Sequence, residues 1–362
     1  MKTPTIVILS PSLRAVSGIS THVNLLNQST LASEYELVHF NVGREGRTES
    51  SAQRFVRLLQ SPFHLAWLIV RFRPAVVHIN TAMDPKGYWR DMWYVAVSRL
   101  LRRKVLFQIH GGSLPEEFFG KSRLLRSLLR RVLRASHALV LLSQVEYDAY
   151  KAFVPGARVE LVPNAIAPEG LLGADTAKAT RGKPLHLAYV GRLVATKGVL
   201  EAIEATRILR DRGVAVHLSI AGSGPFEGKL REAVAEAGLS DRVTFRGPLF
   251  GEEKNLLWRE ADLFAFPTYH KEGLPYALLE AMAAAAVPVT NPVGAIPDVM
   301  RHGVHGLFVP PRDPQALADT LARLDADRAQ LARMAAAGRQ RVLENYSIAR
   351  LASDFRRLYA TL

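Results

Sequence analysis

Glu272 and Glu280 stand eight residues apart in the segment His270-Lys271-Glu272-Gly273-Leu274-Pro275-Tyr276-Ala277-Leu278-Leu279-Glu280. Eight residues are just over two helical turns, so both carboxylates would project along one face of a helix. Gly273-Leu274-Pro275 reads as the start of that helix, with proline in the first turn. The unpaired N–H groups of a helix start attract phosphate. A sugar diphosphate resting there would put Glu272 beside the sugar and direct Glu280 toward a ribose hydroxyl pair. The alternative makes both glutamates ordinary surface residues of an amphipathic helix. Against it, Glu280 stands among Leu278, Leu279, Ala281, Met282 and a run of alanines, where a charge needs a partner.

Two cations extend the pattern. Val190-Gly191-Arg192-Leu193 and Lys197-Gly198 follow an apolar run. Arginine offers a fork to phosphate oxygens and lysine a mobile point charge. When a diphosphate leaves a sugar, negative charge grows on the β-phosphate, and two cations there would stabilise it. Alone, they are routine residues of a solvated loop; beside the glutamate pair, binding is the better account. In the first half, Val16-Ser17-Gly18-Ile19-Ser20 follows the first apolar run. Gly18 would let backbone approach a diphosphate closely, or it forms a plain turn. His110-Gly111-Gly112 follows a strand ending at Ile109, where a histidine is placed to meet a ligand, although a lone histidine more often serves the core.

Glu272-Gly273-Leu274-Pro275 with Glu280, Gly191-Arg192 with Lys197-Gly198, Ala221-Gly222-Ser223-Gly224-Pro225, Val162-Pro163-Asn164 and Gly303-x-x-Gly306-Leu307 come in a telling order and spacing. Together they resemble the GT-B superfamily, and within it the family 4 retaining glycosyltransferases. The resemblance covers nearly the whole chain and is strongest over residues 185–315. It implies an α/β GT-B architecture of two Rossmann-like domains facing each other across a cleft. It implies transfer of a sugar from a nucleotide-diphosphate sugar, with the donor held by the second half and the acceptor by the first. Glu272 and Glu280 match the E-x7-E signature, with Gly273 and Leu274 against the donor. Arg192 and Lys197 match the phosphate-binding pair. His110 matches a histidine close to the donor sugar, where it would hydrogen-bond a hydroxyl or help stabilise an oxocarbenium-like transition state. The family usually shows two glycines where this chain has Ser17-Gly18. No carboxylate of the first half stands out as a nucleophile, so a front-face route through an ion pair is expected rather than a covalent glycosyl-enzyme. The competing readings are a nucleotide-sugar epimerase of the same fold and a non-catalytic nucleotide-sugar-binding subunit of a membrane assembly. Arg192, Lys197, Glu272 and Glu280 together argue against the latter.

The elements that must position these residues alternate apolar runs with helical patterns. Strands are expected at 5–9, 36–40, 75–79, 104–109 and 138–142, and again at 185–190, 215–220, 243–245, 263–266 and 287–290. Near-continuous apolar strands separated by helices imply parallel sheets covered on both faces. The expected domains are 1–165 and 185–345, joined by a linker over 166–184. The final helix, about 346–362, is expected to cross back to the first domain, as in similar enzymes. The apolar stretch 274–289 carries Glu280 in its middle and reads as a buried helix rather than a membrane span.

The chain has 362 residues, 48% hydrophobic and 22% charged, with no cysteine. That excludes thiolate chemistry, disulfides and cysteine-ligated metals. No uncharged apolar run approaches the ~20 residues of a membrane span, and the N-terminus is too short in apolar residues for a signal peptide. A cytoplasmic enzyme is expected, with no resident cofactor. Asp325-Ala326-Asp327 is formally D-x-D, but no strand precedes it, so it reads as a solvated helix face; no metal is expected, the two cations standing in for one. Net charge is +14, and residues 1–170 hold 22 Lys and Arg against 12 Asp and Glu. The segment Lys121–Arg134 has six cations and no acid, with two leucine-rich columns opposite the arginines. It suits an anionic membrane surface and, equally, a core-packed helix with a basic outer face. The absence of interleaved aromatics argues against nucleic acid. The expected partners are thus a nucleotide-diphosphate sugar donor, a glycan or lipid-linked glycan acceptor and an anionic membrane surface, with the enzyme peripheral on its inner face.

Overall fold

The computed structural model describes residues 3–43, 49–120, 122–172 and 184–362. Two compact units emerge, Met1–Ala165 with Ile348–Leu362, and Ile166–Ser347. In the first, the chain runs β1 (Thr5–Ser10), α1 (Gly18–Gln28), α2 (Leu31–Glu34), β2 (Glu36–Asn41), α3 (Ser51–Phe72), β3 (Val76–Met83), α4 (Pro85–Leu100), β4 (Lys104–Gly112), α5 (Arg123–Ala135), β5 (Ala138–Leu141), α6 (Gln144–Phe153) and β6 (Val159–Leu161). The strands pair in parallel in the order β2-β1-β3-β4-β5-β6. β1 is buried along its whole length, as a parallel strand covered by crossover helices must be. β3 and β4 outrun their apolar cores, which end at Ile79 and Ile109. Polar side chains continue them: the Asn80 amide donates to Leu9 O at 3.2 Å, and its Oδ1 accepts from His110 Nε2 at 2.9 Å. His110 therefore lies within a strand, not after one.

The second unit runs β7 (Leu185–Val190), α7 (Val199–Asp211), β8 (Val216–Ala221), α8 (Glu227–Glu236), β9 (Val243–Gly247), α9 (Gly251–Glu260), β10 (Leu263–Phe266), α10 (Tyr276–Ala283), β11 (Val287–Thr290), α11 (Ile296–Val299), β12 (Leu307–Phe308), α12 (Pro314–Ala326) and α13 (Arg328–Asn345). Its parallel sheet has the order β12-β11-β10-β7-β8-β9. Each sheet has six strands where apolar runs mark only five. The extra ones, β6 and β12, are edge strands of three and two residues, too short to leave a periodic signal. The stretch 274–289 is not one helix: α10 stops at Ala283, Ala285 turns left-handed at φ 59°, and β11 follows. Of the expected linker, residues 173–183 lie outside the described residues. Ile166 before them donates its N–H to Tyr346 O at 2.9 Å, within the second unit.

The last helix, α14 (Ile348–Thr361), belongs to the first unit. Its Phe355 ring stacks on His78, and Arg356 grips Glu34 of α2. Asp327 is exposed and Asp325 partly so, and both have local structural duties. Asp327 caps α13 by accepting the Gln330 N–H at 2.8 Å, and Asp325 pairs with Arg328. On α5, Lys121 of the basic segment lies outside the described residues. Leu129, Val132 and Leu133 are buried in the core and Leu128 packs against it. The core therefore takes most of the leucine columns, while Leu124 at the start of the helix is 79% exposed; Arg123, Arg131 and Arg134 remain exposed on the outer face. Among the described residues, no helix is long and apolar enough to cross a membrane.

Candidate functional site

In the second sheet the chain leaves β7 toward β8 and β9, then returns to β10 on the other side of β7. The loops after β7 and β10 thus leave neighbouring strand ends and diverge, which is where ligands sit in open α/β sheets. The β7 loop carries Arg192 and Lys197; the β10 loop carries Glu272. Lys197 Nζ lies 2.5 and 2.7 Å from the two Glu272 oxygens, and Thr268 Oγ1 donates to Oε1 at 2.9 Å. The Lys197 ammonium also stands over the Phe266 ring at 5.4 Å. The two loops are joined further by Tyr269, whose N–H donates to Thr196 O at 3.0 Å and whose hydroxyl donates to Ala195 O at 2.9 Å. Two glycines allow this crowding. Gly198 has φ +77°, and a Cβ there would lie 2.2 Å from Pro267 O; Gly294 has φ +55°, and its Cβ would lie 1.9 Å from Glu272 O. Any side chain would force the loops apart.

The two glutamates do not share a helix face. Pro275 is the N-cap of α10, so Glu272, Gly273 and Leu274 precede the helix and only Glu280 lies on it. The loop backbone is held at Gly273, whose carbonyl accepts the Ala295 N–H at 3.4 Å, and Leu274 is buried. No side chain caps the start of α10. Glu280 is accommodated among apolar neighbours by α9, from which Lys254 Nζ reaches it at 2.7 Å and Trp258 Nε1 donates at 3.1 Å. Burial, and then the Glu280 charge, push the neighbouring Tyr276 hydroxyl far up. Arg192 is exposed, with its carbonyl accepting from Tyr189 Oη at 3.2 Å. Burial and the Lys197 charge hold His270 below the usual imidazole range.

Gly18 and His110 lie in the first unit, at the C-terminal side of its sheet. Gly18 opens α1, and Ser17 is the N-cap, extended at φ −148°, with its hydroxyl accepting the Ser20 N–H at 3.2 Å. That position needs extended backbone and a cap, so serine serves where the family usually has glycine. His110 donates Nε2–H to Asn80 Oδ1 at 2.9 Å, and the His22 ring meets it edge-on at 4.8 Å. His78 bonds Tyr359 Oη at 2.8 Å and Gln108 Oε1 at 2.9 Å. Burial holds His78 and His110 down to about 3, and holds His22 well below its ordinary value with His110 adding to the effect. The cluster is neutral at working pH, so His110 acts as a hydrogen-bonding group whose Nδ1 is free to accept. Thr268, Lys254, Trp258, Asn80, His22 and His78 carried no motif. The one available signal was polar residues inside the apolar strand Val76-Val77-His78-Ile79-Asn80.

Residues 175–341 match the family described as Glycosyl transferases group 1, and residues 30–165 match the Glycosyl transferase 4-like domain. The amylovoran biosynthesis glycosyltransferase AmsK of Erwinia amylovora is 37% identical over 165 residues, 44% of this chain and 40% of that protein. The GDP-mannose-dependent alpha-(1-6)-phosphatidylinositol monomannoside mannosyltransferase of Mycobacterium tuberculosis is 30% identical over 248 residues, 64% of each chain. The chain thus spans less than two thirds of the length of the curated relatives it matches. Sucrose-phosphate synthase from Thermosynechococcus elongatus superposes with a TM-score of 0.81 at 20% identity, covering 99% of this chain and 98% of that one. Anabaena HepE, solved in complex with UDP-glucose, gives 0.78 at 16%, covering 99% and 100%. These likenesses show the fold to be GT-B, two Rossmann-like units. The second unit thus carries a domain of the group 1 glycosyl transferases and the first a glycosyl transferase 4-like domain.

Proposed function

We propose that this chain transfers a sugar, with retention of configuration, from a nucleotide-diphosphate sugar to a glycan or lipid-linked glycan acceptor, in cell-surface polysaccharide biosynthesis. The observation that carries this is the Lys197–Glu272 pair at the divergence of β7 and β10, beside the uncapped start of α10. A helix start, a lysine and an exposed arginine suit a diphosphate. As the anomeric C–O bond breaks, its electron pair goes to the β-phosphate, and Lys197 and Arg192 stabilise the charge. Glu272 orients Lys197 and meets the sugar, and Glu280 takes the ribose hydroxyls. The acceptor hydroxyl attacks from the face the leaving group departs, and its proton passes to the departing phosphate oxygen. In this reading fixed cations make a metal unnecessary, and His110 hydrogen-bonds sugar. The name of the Erwinia relative favours an exopolysaccharide acceptor, and the UDP-glucose bound to the Anabaena protein favours a nucleotide-sugar donor. Such an acceptor puts the enzyme at the inner membrane surface.

The test is a screen of nucleotide sugars for thermal stabilisation and for hydrolysis or transfer. With the donor found, Lys197→Ala and Arg192→Ala should each lose on the order of 10²-fold in turnover, with folding confirmed by circular dichroism. Near wild-type rates in both would overturn the assignment. An epimerised nucleotide sugar formed without acceptor would favour the epimerase instead.

A further inference from the structure

The outer face of α3 and α4 carries large apolar side chains that the core does not use. On α3, Phe55, Leu59, Phe63, Trp67 and Val70 recur at helical spacing and are all exposed, Phe63 by 78% and Trp67 by 58%. The opposite side of the same helix, Leu65, Leu68 and Ile69, is buried. On α4, Trp89, Trp93 and Leu100 repeat the pattern, Trp93 being 57% and Leu100 82% exposed. The helices pack together through Tyr94 Oη, which donates to Ser61 Oγ at 3.0 Å. Ser61 in turn donates to Leu58 O at 3.2 Å, the carbonyl left without its helical donor because Pro62 has no N–H. The two stripes are therefore carried on one packed helix pair. Scattered exposed apolar residues are ordinary, but a contiguous aromatic stripe marks an interaction face.

Charge says what that face meets. Residues 51–135 hold 16 Lys and Arg against four Asp and Glu, a net +12 of the whole chain's +14. α3 and α5 have no acid at all. Exposed Arg71 and Arg73 follow the stripe on α3; Arg99, Arg102 and Lys104 follow it on α4; Arg123, Arg131 and Arg134 line neighbouring α5. Asp91 is buried against Arg90, leaving Asp84, Glu116 and Glu117 as the exposed acids of the segment. A second copy of this face would bring like charge against like.

We propose that the α3–α4 face docks the protein on an anionic lipid bilayer, its aromatic stripe entering the interface while the surrounding cations meet headgroup phosphates. The docking element is then not the leucine columns of α5, most of which the core uses; α5 contributes its outer arginines. The inference deepens the membrane part of the proposed function and is independent of glycosyl transfer, because its test reads binding rather than turnover.

The full chain is mixed with vesicles of phosphatidylcholine alone, or of phosphatidylcholine with phosphatidylglycerol, across a salt series. Trp67, Trp89 and Trp93 are three of the four tryptophans, and the fourth, Trp258, is fully buried, so emission reports the stripe directly. Wild type should co-sediment with the anionic vesicles, release them as salt rises, shift its tryptophan emission to the blue and be quenched by brominated acyl chains. Phe63→Ser, Trp67→Ser and Trp93→Ser should each lose on the order of tenfold in partitioning, with unchanged melting temperature because these sites are exposed. Replacing Arg123, Arg131 and Arg134 together by Gln should flatten the salt dependence and leave the emission shift at saturating lipid. No binding of wild type to anionic vesicles at low salt would overturn the proposal, as would equal binding by the serine variants. So would a dimeric mass with blue-shifted emission in the absence of lipid, which would mark the face as an interface between copies. Failure of every nucleotide sugar to stabilise the protein would strike the proposed function and leave the vesicle result standing.

Discussion

Lowering the pH from about 7.5 to about 5.5 should loosen the first unit well beyond the second. His22, His78 and His110 are kept neutral by burial, with folded values below the ordinary 6.5. Below 6.5 the unfolded chain takes up protons that the folded cluster refuses. Stability is therefore present above that value and is lost as pH falls toward the folded values, near 3 for His78 and His110. One pH unit below 6.5, a single such group costs about 1.4 kcal/mol, so three acting independently cost about 4 kcal/mol. Around the cluster Asn80, Tyr359 and Phe355 are neutral and the Arg350 charge opposes protonation of His22; the Gln108 hydrogen bond favours the charged forms of His22 and His78, but burial outweighs it. Asp91 works the other way, because burial raises its carboxyl and so favours the fold in acid. Against a whole stability of roughly 5–15 kcal/mol, the loss is large. Native-state hydrogen exchange on peptides spanning β3 and β4, corrected for the intrinsic rate, should show opening free energies falling across this range, while β7 and β10 serve as the internal control. His22→Leu removes one of the three groups and should flatten the slope by about a third. Opening energies in β3 and β4 that stay level, or fall no further than those of β7 and β10, would refute the reasoning.

Gly294→Ala should abolish transfer while the far-ultraviolet circular dichroism persists, because its Cβ would collide with Glu272 O and displace that carboxylate from Lys197; turnover within a few-fold of wild type would show that the loop gives way freely. Glu280→Gln keeps the shape but leaves Lys254 without its anion, so the donor KM should rise about tenfold with kcat nearly unchanged, read from initial rates at varied donor. Transfer should continue in EDTA if Lys197 and Arg192 supply the positive charge; a rate restored only by added Mn²⁺ or Mg²⁺ would count against that role.

Local chemistry was open to inspection from the residues alone. The alternation of apolar runs and helical patterns determined a parallel α/β chain, because strand burial on both faces is written into consecutive side chains. Glu272, Arg192 and Lys197 stood out because charged residues in short glycine-bearing loops after apolar strands have few structural duties, and Glu280 because a charge among apolar neighbours needs a partner. Only the tertiary structure decided how they are satisfied. Lys197 and Glu272 are 75 residues apart, and they meet because β7 and β10 pair across the point where the connections diverge. Lys254 and Trp258 reach Glu280 from another helix, so no spacing could announce them. The same limit left two readings of α5 open and passed over α3. Periodicity shows that a helix has an apolar face, but which face the core takes is a property of the neighbours. On α5 the core claimed Leu129, Val132 and Leu133, whereas on α3 it claimed Leu65, Leu68 and Ile69 and left the aromatic stripe outside.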